Sequence, residues 1–183
     1  NKSAEVVKMV TSLSDFFRTT LSKGHDYITV KEERTHIESY LEIQQFRYQD
    51  ILDYEIQMDE EIYGYIIPKL TLQPLVENAL YHGIKNKRGK GKILITGKKQ
   101  GDKIIFQVID NGKGMTEEEL NSLRKKMAGT DTGDEEKGFG VSNVNQRIKY
   151  YYGEEYGVFF ESRENEGTNA TIIIAAKNIQ LPS

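Results

Sequence analysis

Leu72-Gln-Pro-Leu-Val-Glu-Asn-Ala-Leu80, Asp110-Asn-Gly-Lys-Gly-Met115 and Gly138-Phe-Gly-Val-Ser-Asn143 are the stretches whose joint reading decides the fold of this 183-residue chain. Each alone is a weak pattern, because glycine beside Asn or Asp occurs in any turn. Together they supply a side-chain amide, a carboxylate and two backbone turns freed by glycine. In the first stretch Pro74 suits the opening turn of a helix carrying Val76 to His82, where its missing N–H would have had no partner. In the second, Gln107-Val-Ile-Asp110 reads as the end of a strand. The third opens a helix over Val141 to Tyr152.

Outward from these stretches the pattern fills in. Ile93, Ile95 and Gly97, then Ile104, Phe106 and Val108, alternate on either side of Gln100-Gly101-Asp102 and predict a hairpin. Tyr54, Ile56 and Met58 predict a strand before it, and Ile66-Ile67-Pro68 an extended connection. Thr116-Glu-Glu-Glu119 is a capping box starting a short helix to about Met127. Ala128 to Lys137 has no apolar period and reads as a loop. Val158 and Phe160, then Ala170, Ile172 and Ile174, close with two further strands. Strands in adjacent pairs with helices between them predict an α+β two-layer sandwich, a mixed sheet with helices on one face. Upstream, Val6, Val10, Leu13, Phe17 and Leu21 form one helical stripe, and a second helix is expected from about Val30 to Leu52, with Val30, Ile37, Leu41, Tyr48 and Leu52 on its face. Two such helices bury their stripes on each other, on the following domain or on a second copy of the chain.

Bulk composition narrows the function. Hydrophobic residues make up 37% and charged residues 29%, which suits a domain with a solvated helical part. A net charge of −3 argues against a nucleic-acid or anionic-membrane surface. The basic run Lys85 to Lys92 carries no interleaved aromatics and reads as a solvated loop. With no cysteine, disulfides and thiolate metal sites are excluded. No apolar stretch approaches the roughly 20 residues of a membrane span. The chain opens on Asn1-Lys-Ser rather than on Met, so it is expected to be part of something longer whose remainder could hold membrane segments.

The three stretches have chemistry in common. A buried carboxylate at Asp110 can accept a hydrogen bond from an exocyclic amine such as adenine N6, with Gly112 and Gly114 clearing the ring's approach. Read alone, the segment is equally a turn between strand and helix. Backbone N–H groups at a helix start near Gly138 and Gly140 can cradle phosphate oxygens. Asn78 offers an uncharged oxygen acceptable to Mg²⁺ beside phosphates and water, and singly it is also an ordinary polar residue on a half-exposed helix.

In order and spacing, with Gly167-Thr168 following, the segments resemble the N, G1, G2 and G3 boxes of the GHKL ATP-binding fold shared by DNA gyrase, Hsp90, histidine kinases and MutL. Leu72 to Ala79 with His82-Gly83 looks like the N box of LytS/YesM-like sensor histidine kinases, and the likeness covers about Thr29 to Ala175. It implies residues 1–52 as the distal part of a dimerisation region and residues 53–183 as the ATP-binding catalytic domain. By the same likeness Glu77 and Asn78 are catalytic and Asn78 holds Mg²⁺. Asp110, Gly112, Gly114 and Thr168 form the adenine side, and His82, Gly138, Gly140 and Asn143 the phosphate side. Met115 to Lys137 would be a mobile ATP lid. ATP and Mg²⁺ are the implied ligands. The implied partners are a response regulator and a second copy in the full-length parent, with no nucleic acid. The implied setting is the cytoplasmic side of a bacterial plasma membrane, reached only through missing N-terminal segments.

Two departures from the resemblance bear on mechanism. Where many members carry a phosphate-reaching Lys three residues after the N-box Asn, this chain has Tyr81, and His82 or Lys85 could substitute. Where direct ATPases place a general-base Glu four residues before that Asn, it has Pro74, which favours γ-phosphoryl transfer over hydrolysis. Of His25, His36 and His82, none has the sequence context of the family's phosphoacceptor, so the acceptor is expected outside this stretch and His36 is expected to be a surface residue. Competing readings are a GHKL anti-sigma-factor-type serine kinase, a gyrase- or Hsp90-like ATPase module, and a GHKL nucleotide-binding scaffold without kinase activity.

Overall fold

The computed structural model describes residues 2–21, 26–87, 89–129 and 139–178. In chain order its elements are α1 (Lys2–Leu21), β1 (Tyr27–Thr29), α2 (Val30–Arg47), β2 (Leu52–Met58), β3 (Ile66–Pro68), α3 (Gln73–Asn78), β4 (Gly91–Gln100), β5 (Lys103–Asp110), α4 (Glu117–Met127), α5 (Phe139–Tyr152), β6 (Gly157–Arg163) and β7 (Gly167–Ala175). A π-helical turn over Ala79–Ile84 continues α3. Five strands form one mixed sheet in the order β2-β4-β5-β7-β6, with β2 parallel to β4 and the other neighbours antiparallel. This is the two-layer α+β arrangement.

The period-2 pattern sets the faces. Ile104, Phe106 and Val108 of β5 stand opposite Ile174, Ile172 and Ala170 of β7, and all six are buried. They join Leu75, Val76 and Leu80, Leu120 and Met127, and Val141, Val144 and Ile148 in one apolar cluster between sheet and helices. The other face is wetter, with Phe159 exposed. Continuing the buried alternation of β5 by two residues places Asp110 on the apolar side. A carboxylate therefore enters the core layer because strand geometry requires it.

The hairpin turn at Gly101 (φ +62) and the Thr116 capping box both form as expected from the sequence. Three expectations need correction. The second helix stops at Arg47 rather than running to Leu52. Tyr48 N–H closes its last turn on the Gln44 carbonyl, and Leu52 begins β2 opposite Gly91. Leu52 keeps the helical spacing from Tyr48, so periodicity alone could not separate the two elements. The segment Ile66–Pro68 is not merely a connection: it is β3, paired antiparallel with β1. Strands of three residues joined across a long separation leave no periodic signal. Finally, the buried side of α2 is not a plain apolar stripe, since it includes Glu33 and His36 beside Val30, Ile37, Tyr40 and Leu41.

Glu33 ties α2 to the entry of α3. Its Oε1 accepts Leu72 N–H at 2.7 Å and its Oε2 accepts Leu70 N–H at 3.2 Å. Leu70 sits at φ +57, a conformation a branched side chain takes only when its surroundings hold it. The hold is two-sided, because Arg147 of α5 donates to the Leu70 carbonyl at 3.0 Å. Burial pushes the Glu33 carboxyl up to about 7, against the two amides and the Arg147 charge that pull it down.

A pH dependence follows. The native carboxyl holds its proton more tightly than the unfolded one, whose ordinary value is 4.5, so the contribution is complete below pH 4.5 and is lost as pH rises through 7. Across that window the loss is about 3 kcal/mol. Urea titrations of wild type and Glu33→Gln at several pH values should show a falling stability in the first and a flatter line in the second. Parallel lines would refute the assignment.

Candidate functional site

Asp110 is 4% exposed and lies where three chain segments converge. Its Oδ1 accepts Gly112 N–H at 2.8 Å. Burial pushes its carboxyl up to about 6, while the N–H groups of Gly112 and Thr168 and the charge of Lys87 oppose that rise. The convergence depends on missing side chains. A Cβ on Gly83 would lie 2.5 Å from Asp110 Oδ1, one on Gly112 would lie 2.5 Å from the Gly83 Cα, and one on Gly167 would lie 2.0 Å from the Asp110 carbonyl oxygen. Gly114 takes φ +65 with a virtual Cβ 1.9 Å from the Arg163 carbonyl oxygen, so it has both reasons to be glycine.

Above the carboxylate opens a cavity of about 450 Å³ lined by Asn78, His82, Gly83, Asp110, Lys113, Gly114, Thr168 and, from α4 and its approach, Met115, Glu118, Glu119, Ser122, Leu123 and Lys126. A smaller cavity of about 190 Å³ adjoins it at Asn78 and His82 and is lined also by Pro74, Glu77, Tyr81, Gly140 and Val141. There α3 and α5 meet closely: a Cβ on Gly140 would come 3.3 Å from Pro74 Cβ.

The structure thus brings together Asn78, His82, Asp110, Gly114 and Thr168 in one cavity, and Glu77 and Gly140 in the adjoining one. Gly112 sits beneath as a support. Asn143 is exposed on α5 and lines neither cavity. Gly138 and the 130–137 part of the expected lid lie outside the described residues, as does His25. Met115 to Met127, the lid's first part, contains the regular helix α4. His36 is 2% exposed, which corrects the surface placement: it faces inward to Gln73. The basic run is likewise more than solvated loop, because Lys87 Nζ donates to the Asn111 carbonyl at 2.6 Å and Lys85 Nζ lies 4.7 Å from the Tyr81 ring centre.

Sequence reasoning missed several contributors. Gly83 was visible only as the residue after His82. Ser162 on β6 accepts Met115 N–H at 2.9 Å, donates to the Gly167 carbonyl at 2.9 Å and meets Thr168 Oγ1 at 2.8 Å, joining the two sides of the Asp110 turn. Nothing local marks such a serine. Among the described residues no group of three or more His, Asp and Glu side chains is placed to hold a metal. An ion here would draw on Asn78 and on oxygens brought by a ligand and by water.

Comparison with known proteins agrees with this arrangement. The family described as histidine kinase-, DNA gyrase B- and HSP90-like ATPase matches residues 68–178, and that described as histidine kinase matches residues 1–52. The sensor histidine kinase YesM of Bacillus subtilis is 34% identical over 97% of this chain and 29% of its own length. The sensor protein LytS of Staphylococcus saprophyticus is 29% identical over 97% of this chain and 30% of its own length. The chain therefore spans under a third of these curated relatives. Among solved structures, the catalytic domain of histidine kinase ThkA superposes with a TM-score of 0.61 at 20% identity, over 84% of this chain and 97% of that one. The histidine kinase domain of the Erythrobacter litoralis blue-light activated kinase gives 0.57 at 13% identity, over 94% and 80%. At such identities the likeness is one of fold.

The crowding at Gly114 can be separated from its φ. Gly101 has nearly the same φ, +62, with nothing within 4 Å of a virtual Cβ. Gly101→Ala should cost about 1 kcal/mol of unfolding free energy, and Gly114→Ala roughly 3 kcal/mol or more. Equal losses in urea titrations would show that the close approach carries no constraint.

Proposed function

The chain belongs to the histidine kinase-, DNA gyrase B- and HSP90-like ATPase family, and from that premise we propose that it is the ATP-binding catalytic part of a two-component sensor histidine kinase. The observation that carries the reading is the Asp110 carboxylate, buried on the apolar face yet lining a cavity of about 450 Å³. A carboxylate acceptor there suits the exocyclic amine of adenine, and the side-chain-free walls at Gly83 and Gly114 suit a flat ring. Gly112 and Thr168 hold the carboxylate through their N–H groups.

The phosphate end is assigned to the adjoining cavity. Gly140 stands at the start of α5, whose first backbone N–H groups have no partner within the helix. His82 faces the same space. Asn78 would supply the protein's oxygen to Mg²⁺, which neutralises phosphate charge when bound. Glu77 beside it is the carboxylate available near the transferred group. Pro74 occupies the position at which a hydrolytic base would stand, four residues before Asn78, which favours transfer of the γ-phosphoryl to a side chain.

The accepting side chain is a histidine outside residues 1–183, and the next acceptor is a response regulator. His36 is buried against Gln73 and unsuited to in-line attack. Residues 1–52 serve as the distal dimerisation region and residues 53–183 as the catalytic domain, although α2 shares the catalytic core. Support for pairing comes from α1, where Val6, Val10, Leu13 and Phe17 are exposed on one face at 55%, 60%, 39% and 51%. Among the described residues no helix is long and apolar enough to cross a membrane. Attachment to the cytoplasmic face belongs to the remainder of the parent.

Calorimetric titration with ADP and with a nonhydrolysable ATP analogue, with and without Mg²⁺, tests the site. Asp110→Asn presents a donor to the adenine amine and should weaken ADP binding about tenfold or more while the fold persists. Because burial holds the Asp110 carboxyl at about 6, wild-type affinity should rise with pH through 6 and the Asn variant should lack that component. No binding at millimolar nucleotide would overturn the assignment. Pairing through α1 predicts a mass that grows with concentration in light scattering and is reduced in Val10→Glu.

A further inference from the structure

A polar chain runs from the helical hairpin to the smaller cavity through residues to which the nucleotide reading gives no role. Phe16 of α1 stacks on the His36 ring of α2, with centroids 4.8 Å apart and planes 19° from parallel. His36 Nε2 is hydrogen-bonded to Gln73 Oε1 in the first turn of α3. Gln73 Nε2 in turn donates to Glu77 Oε1 at 3.0 Å. Glu77 lines the cavity of about 190 Å³ together with Asn78 and Gly140. The chemistry gives this chain a direction. A glutamine amide oxygen only accepts, so His36 Nε2 must carry a proton, and the Gln73 amide then points its donor end at the carboxylate. Burial keeps the imidazole below its ordinary value and so neutral, the form in which one nitrogen donates.

We propose that Gln73 and His36 are positioning residues that orient the Glu77 carboxylate toward the phosphate end of the site, and that the packing of α1 on His36 makes this orientation responsive to the setting of the hairpin. The inference rests on the nucleotide reading and deepens it by assigning the route by which the helices act on the site. Oε1 of Glu77 is engaged by Gln73, so its second oxygen is the one offered to a ligand. A shift of α1 along α2 moves the Phe16 ring, with it the imidazole, and so the amide that holds Glu77. The adenine side is not on this route: Asp110 is held by Gly112 and Thr168. The hairpin therefore acts on the Mg²⁺-dependent part of binding and leaves adenine recognition alone.

The test uses residues 1–183 in wild type, Gln73→Met, His36→Phe and the double variant. Gln73→Met keeps length without an amide, and His36→Phe keeps the stack without a donor. Calorimetry is run with ADP lacking Mg²⁺ and with a nonhydrolysable ATP analogue plus Mg²⁺, after thermal melts establish that each variant is folded. Each single variant should weaken Mg²⁺-analogue binding about tenfold, leave Mg²⁺-free ADP binding within about twofold, and the double variant should be no weaker than either single one. In ¹⁵N spectra the His36 ring should show the Nε2–H tautomer and shift on addition of Mg²⁺-analogue in wild type but not in Gln73→Met. Unchanged Mg²⁺-analogue binding in the variants, or equal losses for both ligands, overturns the positioning role while wild-type binding keeps the nucleotide reading intact. Failure of the wild type to bind either ligand overturns both.

Discussion

The arrangement depends on one close approach: backbone at Gly83 and Gly112 crowds the buried carboxylate of Asp110, and backbone at Gly167 crowds its main-chain carbonyl, at distances no side chain would tolerate. Strand alternation carries Asp110 to the apolar face, and burial there would be unfavourable for an unpartnered charge. The amides of Gly112 and Thr168 offset part of that penalty. The carboxyl, pushed up to about 6 by burial, changes charge at an accessible pH. The end of β5, the start of β7 and the turn after α3 are all placed by this contact.

A second set of buried polar groups, on α2, performs a different task. Glu33 receives the amides of Leu70 and Leu72, and Arg147 takes the Leu70 carbonyl, so a left-handed leucine is clamped between two helices just before α3 begins. The β1–β3 pairing clamps the same connection from its other end. The helix bearing Asn78 therefore starts from a fixed point. Its axis is set by groups far from the cavity in sequence, which is why α2 is integral to the core although its sequence looks like part of a separate helical segment.

The legible features were those with local physics. Alternation in β4, β5 and β7, the capping box at Thr116, the hairpin at Gly101 and the mixed two-layer sheet follow from neighbouring residues alone. The gathering of Asn78, Asp110, Gly114 and Thr168 was legible only through the family resemblance, because each of their turns and helix starts is ordinary when read singly. What escaped depends on distant partners. The inward side of Glu33 and His36 is hidden because a charged and a polar residue weaken the apolar stripe that marks a buried face. Ser162 and β1 have meaning only across the fold, and Leu52 satisfied helical spacing while belonging to a strand. Where two periods fit one residue, tertiary pairing decides.

The π-helical turn at Ala79–Ile84 has a consequence for how the sequence can vary in length. A wider turn amounts to one residue more than an α-helix would use over the same rise, and each residue advances the helix by about 100°. Ala79, Leu80, Gly83 and Ile84 are buried along this turn, while Tyr81 and His82 are exposed and reach the cavity walls. Loss of a single residue here would let the ladder relax into a regular α-helix, better bonded in itself. The phase slip would swing Gly83 away from Asp110 and bring a side chain against the carboxylate. The stretch is therefore constrained twice, by the residue type at Gly83, which admits no Cβ, and by the number of residues that brings Gly83 to Asp110.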